Sequence, residues 1–526
     1  MWKNNLIRTG LPLVGIITFG LIVACNHATP DSENNGIDLK EQSEGKLKEV
    51  ENSDNIKLKL ASNLDVPKAV VINLAPPQEY NVNNVSIVTD LYMLIAKINE
   101  KLDDSNEGYN QDIDLVVVGT EVDIQNLKEK SLKDKGIDLK NLKTVTTSRD
   151  TIDYANWWQD YGEFAGFRID ENQAWESGFY YLPGRRTGMK DLIKKLATLL
   201  DMKFMTSSST TDSVLESAGN EGGNVEVTPD GIFVHGDSMS DSQSEEFINM
   251  GYQDKYVELK TEWLGASHVD EFVTFIPSNY TCNYPKQHKG PRPNYSIVAA
   301  DPLGAMNLIY KNFEDEDITI KTDRYGIYTH KIQDIKTAIK LLLKDDKTVA
   351  AFKEQDFKEQ DFDTSREKME TCYNSYLAGT AGYEACNIVK QSLYTNRIIE
   401  ENIAKLTNKT PCMNDDVVRV PQFYFDIGAR GKHRPDEMDN SYVSYLPGTA
   451  NMLVLRDHLI ISDPTLKVFR DEIRKILEKK VGKDNLHFIE ASFYHDAGGE
   501  IHCATNVIRD VNLQLPAPVK SSIKGD

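Results

Sequence analysis

An α/β chain is predicted, with buried strands and amphipathic helices alternating over most of its 526 residues. Three segments carry the prediction. Ala69-Val-Val-Ile-Asn-Leu is a short run of mostly branched apolar residues, the pattern of a buried strand; Thr89 to Leu102 sets apolar residues at helical spacing; Asp114-Leu-Val-Val-Val-Gly repeats the strand signal. The alternation continues along the chain, and helices packed on sheets are the layered solution it implies. The length is ample for a core and admits two or three ordinary domains, or one large α/β propeller or barrel.

Ahead of these elements the N-terminus reads as a targeting segment. Lys3 and Arg8 precede an apolar run from Leu11 to Ala24, which is short for a spanning helix and suits a signal-peptide core. The run ends at Cys25, and Leu21-Ile-Val-Ala-Cys resembles the lipobox of bacterial lipoproteins, in which the cysteine is lipidated; an uncleaved anchor helix is the competing reading. Either way the expectation is an extracytoplasmic protein tethered to a membrane, at the cell surface or in the periplasm, through a lipid anchor at Cys25 in the first case. Residues 26–57 are rich in Asn, Ser, Glu and Lys with few large apolar residues, so a disordered spacer is expected there. Ordered structure is expected over 58–518, with a tail at 519–526.

One region breaks the strand–helix rhythm. From about Ile332 to Leu406 the pattern is helical, with Lys- and Glu-rich faces and a direct repeat from Phe352 to Phe362. A spacing of five does not keep one helix face, so this is no coiled coil, and a solvated helical insertion on the rim of the fold is expected. Past Cys25 the chain has five cysteines, Cys282, Cys372, Cys386, Cys412 and Cys503. An odd count in an exported protein suggests one free reactive thiol and up to two disulfides, with Cys372 and Cys386 the favoured pair because both lie in the inserted region.

With 60 Lys and Arg against 81 Asp and Glu, the formal charge is -21. Nucleic acid is excluded as a partner, because phosphate binding depends on clustered Lys and Arg and no basic stretch competes with this acidity. Solubility alone accounts for such a surface; an arginine-bearing cationic polypeptide would also be attracted to it.

Chemistry concentrates in three stretches. Gly499 to Asn506 reads Gly-Glu-Ile-His-Cys-Ala-Thr-Asn and offers Cys503 as a nucleophile; Trp157 to Phe164 sets Gln159, Asp160 and Glu163 beside aromatic residues; Glu262 to Phe272 carries His268 and Asp270. At an extended strand end residues two apart point to one side, so His268 and Asp270 are expected to face one pocket. Two carboxylates, an imidazole and a thiol suit chemistry on a guanidinium group, since carboxylates pair with the planar cation while a thiolate attacks its carbon and the imidazole moves protons.

These stretches resemble the protein-arginine deiminases, within the wider guanidino-group-modifying superfamily. Glu221-Gly-Gly-Asn-Val-Glu-Val, Asn451-Met-Leu-Val-Leu with Asp457-His-Leu, and Val417 to Gln422 resemble the same family in the same order, and the likeness runs from about Val66 to about Pro518. The resemblance implies a five-bladed α/β propeller of pseudo-fivefold ββαβ units, though five repeats are not visible in the sequence. It implies that Asp160 and Asp270 hold the guanidinium, that His268 serves as acid and then base, and that Cys503 attacks to form an S-alkylthiouronium. The product would be citrulline and ammonia. Trp157 would cover the substrate's aliphatic stem, Asn156 would bind substrate, and Arg186 (or its neighbour Arg185) would contact the backbone of an arginine-containing peptide or protein.

The resemblance also implies calcium, held by Gln159, Glu163 and Glu226 with backbone carbonyls near Gly222 and Val225; oxygen ligands suit calcium better than zinc. No organic cofactor is implied. Tyr161 stands where an acid of a second calcium site would be, Ala504 stands where the family commonly has glycine, and the immunoglobulin-like domains of the mammalian enzymes have no counterpart. The alternative function is a deiminase or amidinotransferase acting on a small guanidine such as free arginine or agmatine. A binding protein that retains the fold without turnover is disfavoured, because Asp160, His268, Asp270 and Cys503 are all present.

Overall fold

The computed structural model describes residues 47–50, 56–74, 84–103, 111–148, 157–182, 189–208, 218–279, 281–286, 292–313, 319–322, 328–344, 358–375, 381–412, 416–426 and 441–515, all within a compact unit spanning Asp38–Asp526. The leader with Cys25, Asn156, Arg185, Arg186, the start of the Phe352 repeat and the tail lie outside the described residues.

Among the described residues, five sheets of three to five strands, with two two-stranded ribbons, form a mixed α/β fold. The five sheets share one connection rule, in which an antiparallel pair is followed by a helix and a parallel third strand. In the first, Asp65–Leu74 pairs antiparallel with Thr505–Gln514, and the helix Val85–Asp103 carries the chain to the parallel strand Asp114–Gly119. Gly162–Arg168 and Glu176–Tyr181 pair antiparallel, and the helix Lys190–Leu199 leads to Lys203–Thr206. Val225–Val227 and Phe233–Gly236 are followed by the helix Asp241–Phe247 and the strand Tyr256–Leu259. Val273–Pro277 and Tyr295–Asp301 are followed by the helix Pro302–Asn312 and, after a long excursion, Val417–Pro421. Leu453–Leu455 and His458–Ser462 are followed by the helix Lys467–Val481 and Leu486–Ile489. A parallel partner cannot be reached by a tight turn, so each third strand requires its crossover helix.

Local sequence sets these starts. Asp301 accepts from Gly304 N–H with Pro302 in the first turn, and Ser240 caps Gln243 N–H, so each helix begins where its strand ends. The helix at 190–199 buries Leu192, Ile193, Leu196 and Ala197, one stripe at helical spacing.

The last described strand completes the first sheet. Thr505–Gln514 lies against Asp65–Leu74, so segments more than four hundred residues apart close one unit. Arg509 fixes this closure from inside, its guanidinium donating to the carbonyls of Asn63, Asp65 and Val454.

Two expectations are corrected. The spacer expected over 26–57 contains a strand, Lys48–Glu49, which adds in parallel to the open edge at Lys203 and Phe204 and is held by Val50 N–H to Phe204 O at 2.9 Å. An unpaired sheet edge accepts any short extended segment, and composition does not report that. The helical region at 332–406 is also more than a solvated rim. Its helices Ile332–Leu342 and Arg366–Asn374 are followed by Ala381–Lys409, which buries Val389, Ile399, Ile403 and Leu406 in the same core cluster as Val298 and Val420. Asn402 bonds both the N–H and the carbonyl of Lys260, at 2.8 and 2.9 Å. Charged residues mark the outer face of this helix and conceal an inner apolar one.

The cysteine arithmetic is met. Cys372 pairs with Cys386, Cys282 pairs with Cys412 across 130 residues, and Cys503 is a buried free thiol. Among the described residues no helix is long and apolar enough to cross a membrane.

Candidate active site

The site is assembled by the connection rule itself. Asp160 lies in the 3-10 turn Gln159–Tyr161 that enters Gly162–Arg168; Glu221 precedes the turn Gly222–Asn224 that enters Val225–Val227; His268 precedes the turn Val269–Glu271 at the start of Val273–Pro277. Asn451 stands two residues before Leu453–Leu455, and Cys503 two before Thr505–Gln514. Each unit thus offers one polar segment at the same place, just before its leading strand. Asn506 helps hold two of them together, its amide donating to Gly162 O at 2.8 Å, while Gln159 N–H reaches Cys503 O at 3.3 Å.

All four predicted catalytic side chains are buried: Asp160, His268, Asp270 and Cys503. His268 Nδ1 lies 3.9 Å from Asp160 Oδ1, and Cys503 Sγ lies 3.6 Å from Asp270 Oδ2 and 4.0 Å from Glu271 Oε1. The expected extended presentation of His268 and Asp270 is corrected. His268 is extended at φ -112°, ψ 142°, but Asp270 belongs to the 3-10 turn, and Ser267 just before takes a positive φ of 61°. That strained backbone marks a constrained site.

Sequence reasoning missed several partners. Glu221 Oε2 sits 3.4 Å from His268 Nε2, so the imidazole lies between two acids. Asn451 donates its amide N–H to Cys503 Sγ at 3.1 Å and to Asp270 O at 3.2 Å, and accepts from Cys503 N–H at 3.3 Å. His502 Nδ1 is 2.9 Å from Asp270 Oδ2. The placement of Glu221 and Asn451 ahead of leading strands, as with Asp160, was the available signal. Two residues after Glu221, Gly223 leaves no room for a side chain: a Cβ there would sit 2.4 Å from His268 Nδ1.

Trp157 is buried beside Cys503 in one core cluster, its ring tilted on Tyr494 at 6.0 Å between centroids. It also crowds Gly499, where a Cβ would fall 2.6 Å from the indole. Tyr161 is buried in a separate apolar cluster. Ala504 is buried without a positive φ, so the loss of glycine there costs no backbone strain.

Charge in the site is one-sided. Burial pulls the His268 imidazole down, but the hydrogen bond to Glu221 and the charges of Asp160, Glu221 and Asp270 outweigh it and lift it to about 9. Burial, then the charges of Asp270, Glu271 and Asp160, push the Cys503 thiol well above its ordinary range. The imidazole is therefore held toward its charged form and the thiol toward its neutral form, with Asp160, Glu221, Asp270 and Glu271 around them. The arrangement calls for a cation to balance it.

His268 supplies a pH prediction. Its folded pKa exceeds the reference 6.5, so its contribution to stability is fully present below about 6.5 and is lost as pH rises through about 9. Turnover that draws a proton from His268 is expected to fall through the same alkaline range, a limb absent from residual activity in His268→Asn. A kcat profile flat beyond pH 10 contradicts this.

The predicted calcium ligands also come together. Gln159, Glu163 and Glu226 line a cavity of about 30 Å³ with His502, Asn506 and Arg509, and Gln159 Nε2 donates to Glu163 Oε1 at 2.7 Å. Burial first, then the charges of Glu226 and Asp270, raise Glu163 well above the carboxylate range; burial, opposed by His502 and aided by Asp270, carries Glu226 up to about 7. The two buried acids thus face a space large enough for one water or ion, with the basic groups of His502 and Arg509 on the same lining. A Cβ at Gly222 would lie 2.2 Å from Gln159 O and 2.8 Å from Glu163 Oε1, closing that space.

Known proteins similar to this chain are deiminases. A family model described as "Protein-arginine deiminase (PAD)" matches residues 229–514, more than half of the chain, a stretch that holds His268, Asp270, Asn451 and Cys503 and begins after Asp160. Mouse protein-arginine deiminase type-1 is 24% identical over 259 residues, 48% of this chain and 29% of that protein; human protein-arginine deiminase type-4 is 24% identical over 350 residues, 62% of this chain and 42% of that protein. The matches thus span less than half the length of these relatives. Among solved structures, the agmatine deiminase of C. jejuni aligns over 88% of this chain and 98% of its own at 10% identity, with a TM-score of 0.41. By the family model, the chain belongs to the protein-arginine deiminase family.

Proposed function

We propose that this protein hydrolyses arginine side chains in peptides or proteins to citrulline and ammonia. The observation that carries the reading is the convergence of Cys503, Asp270, His268 and Asp160, with Asp270 Oδ1 buried and without a hydrogen-bond partner among the described residues. A buried carboxylate oxygen left open is costly, and a guanidinium N–H satisfies it.

The steps follow from the charges. A guanidinium entering between Asp160 and Asp270 balances the acids that hold the thiol protonated, so substrate binding itself favours the thiolate, with the thiol proton passing to solvent. Sulfur attacks the guanidinium carbon, with Asn451 N–H directed at the sulfur. The tetrahedral adduct collapses as a C–N bond breaks, and the departing nitrogen takes a proton from His268 and leaves as ammonia. The thiouronium that remains is attacked by water, whose proton goes to His268. The C–S bond then breaks as the new hydroxyl gives up its remaining proton to solvent, leaving the urea group of citrulline and returning the thiolate.

The test compares citrulline release from a blocked arginine ester, an arginine peptide, free arginine and agmatine. Peptide and ester are expected to turn over, and activity confined to free arginine or agmatine replaces this reading with a small-guanidine deiminase. Arg186, with Arg185, and Asn156 are proposed to contact substrate.

The five ββαβ units are proposed to be the blades of a five-bladed propeller, with the site at their common end. A lipid anchor at Cys25 and an extracytoplasmic site are proposed from the leader, and the two disulfides support an oxidising compartment. Calcium is proposed at Gln159, Glu163 and Glu226, where it would relieve the mutual repulsion of the two acids. Ligands must be ionised to bind, so calcium uptake is expected to release protons below about pH 7, the range to which Glu226 is raised, and to weaken as pH falls. Calorimetry in buffers of different ionisation enthalpy reads this directly. Activity unchanged by a chelator, with no binding heat, removes calcium from the proposal.

A further inference from the structure

Three residues before the nucleophile, Glu500 is buried, with 1% of its surface exposed. Its Oε1 accepts from Gly448 N–H at 2.7 Å and lies 2.8 Å from His495 Nδ1; its Oε2 and His495 Nε2 have no hydrogen-bond partner among the described residues. A carboxyl group carried this far inside, with one oxygen unmatched, is a poor choice for packing alone, since leaving such groups unsatisfied costs free energy.

The connectivity gives it a role. Glu500 shares a turn with Cys503, closed by Ala504 N–H to Glu500 O at 3.0 Å. Gly448 begins the segment that ends in Asn451, and the next tether along that segment is Ala450 N–H to Gln422 Oε1 at 3.1 Å. Gln422 in turn donates to Glu271 O at 3.1 Å, beside the nucleophile's acidic neighbour. Asn451 returns to Cys503 through both its backbone N–H and its sulfur. The contacts form a closed ring: Cys503 turn, Glu500, Gly448, Asn451, Cys503.

We propose that Glu500, seated by His495, is a positioning residue that acts through Asn451, holding its amide at the Cys503 sulfur. This rests on Cys503 being the nucleophile of the proposed reaction. A group aimed at a reacting atom needs its support fixed to a fraction of an ångström, and a strut shared by the two turns supplies that. Glutamine is isosteric and keeps an oxygen for Gly448 N–H, whereas leucine fills the space and bonds to neither partner.

The experiment is a double-mutant cycle of Glu500→Leu and Asn451→Ala, with Glu500→Gln as the conservative variant. Glu500→Leu is expected to lower kcat by about 10- to 100-fold with KM within about 3-fold, as a small misplacement near reacting atoms does. Glu500→Gln is expected to recover most of that loss, and the double variant to equal Asn451→Ala within about 2-fold, because both changes remove one unit. Losses that multiply, or a Glu500→Gln variant as poor as Glu500→Leu, overturn the inference. So does a lower thermal midpoint with kcat unchanged. If the wild type turns over no guanidine, the deiminase reading fails on its own, and the same cycle read as iodoacetamide labelling of the Cys503 peptide still decides the inference, with slowed, non-additive labelling as the supporting result.

Discussion

Cys503→Ala is expected to lower kcat by on the order of 10⁵-fold or more, the scale of removing a covalent nucleophile from a group that acts as a unit. The size follows from the surroundings. The remaining groups are an imidazolium and carboxylates, and none of them can form the thiouronium through which the C–N bond is broken. Cys503 is buried and the only free thiol among the described residues, so no neighbour substitutes for it. The substitution removes one sulfur from a site already lined by Ala504 and Gly499, and the loss of stability should be modest. Citrulline release and thermal unfolding measured on the same preparation check both halves. Residual turnover within 100-fold of wild type sinks the covalent mechanism.

Asp270→Asn is the second large effect, expected at about 10³-fold in kcat/KM, the range for removing a preorganised charge from a dry site. Asp270 has two oxygens with different duties. Oδ2 lies against His502 Nδ1 at 2.9 Å and Cys503 Sγ at 3.6 Å, while buried Oδ1 has no partner among the described residues and is the atom proposed to meet the guanidinium. Asparagine can still accept from His502, so the fold should hold, but it loses the charge that pairs with a guanidinium. The same charge is what Cys503 feels most strongly after burial. Removing it should ease thiol ionisation. Turnover and thiol reactivity should therefore move in opposite directions: slower citrulline formation, faster alkylation by iodoacetamide at a fixed pH. A variant that loses both together points to a collapsed site, and one that keeps full turnover removes Asp270 from guanidinium binding.

The placement of the site explains why some of it was readable and some was not. Asp160, His268, Asp270 and Cys503 sit in short motifs whose residue types announce their chemistry, and the turn or strand that presents each one is local. Glu221 and Asn451 lie in motifs that show no role locally, because their contacts exist only across unit boundaries: Glu221 meets an imidazole 47 positions on, and Asn451 a sulfur 52 positions on. His502 adjoins Cys503 in sequence, yet its partner Asp270 is 232 residues away. The rim expectation for Ala381–Lys409 failed for a related reason, since charge on one face of a helix does not say what covers the other.

By itself the sequence determined the α/β alternation, an odd cysteine count that leaves one thiol over, and the set of groups suited to a guanidinium, because each depends on residue type and near spacing. The tertiary structure decided how those groups meet. Five strand-entry turns, brought together by repeated strand–helix connections and closed by Thr505–Gln514 against Asp65–Leu74, set distances of 3 to 4 Å between residues hundreds of positions apart. The packed cluster then biased its own protonation: the acids around His268 raise it against the pull of burial, and burial, with those acids, holds Cys503 toward the thiol. Contact distance and dielectric surroundings are properties of the packed chain, and no local pattern carries them.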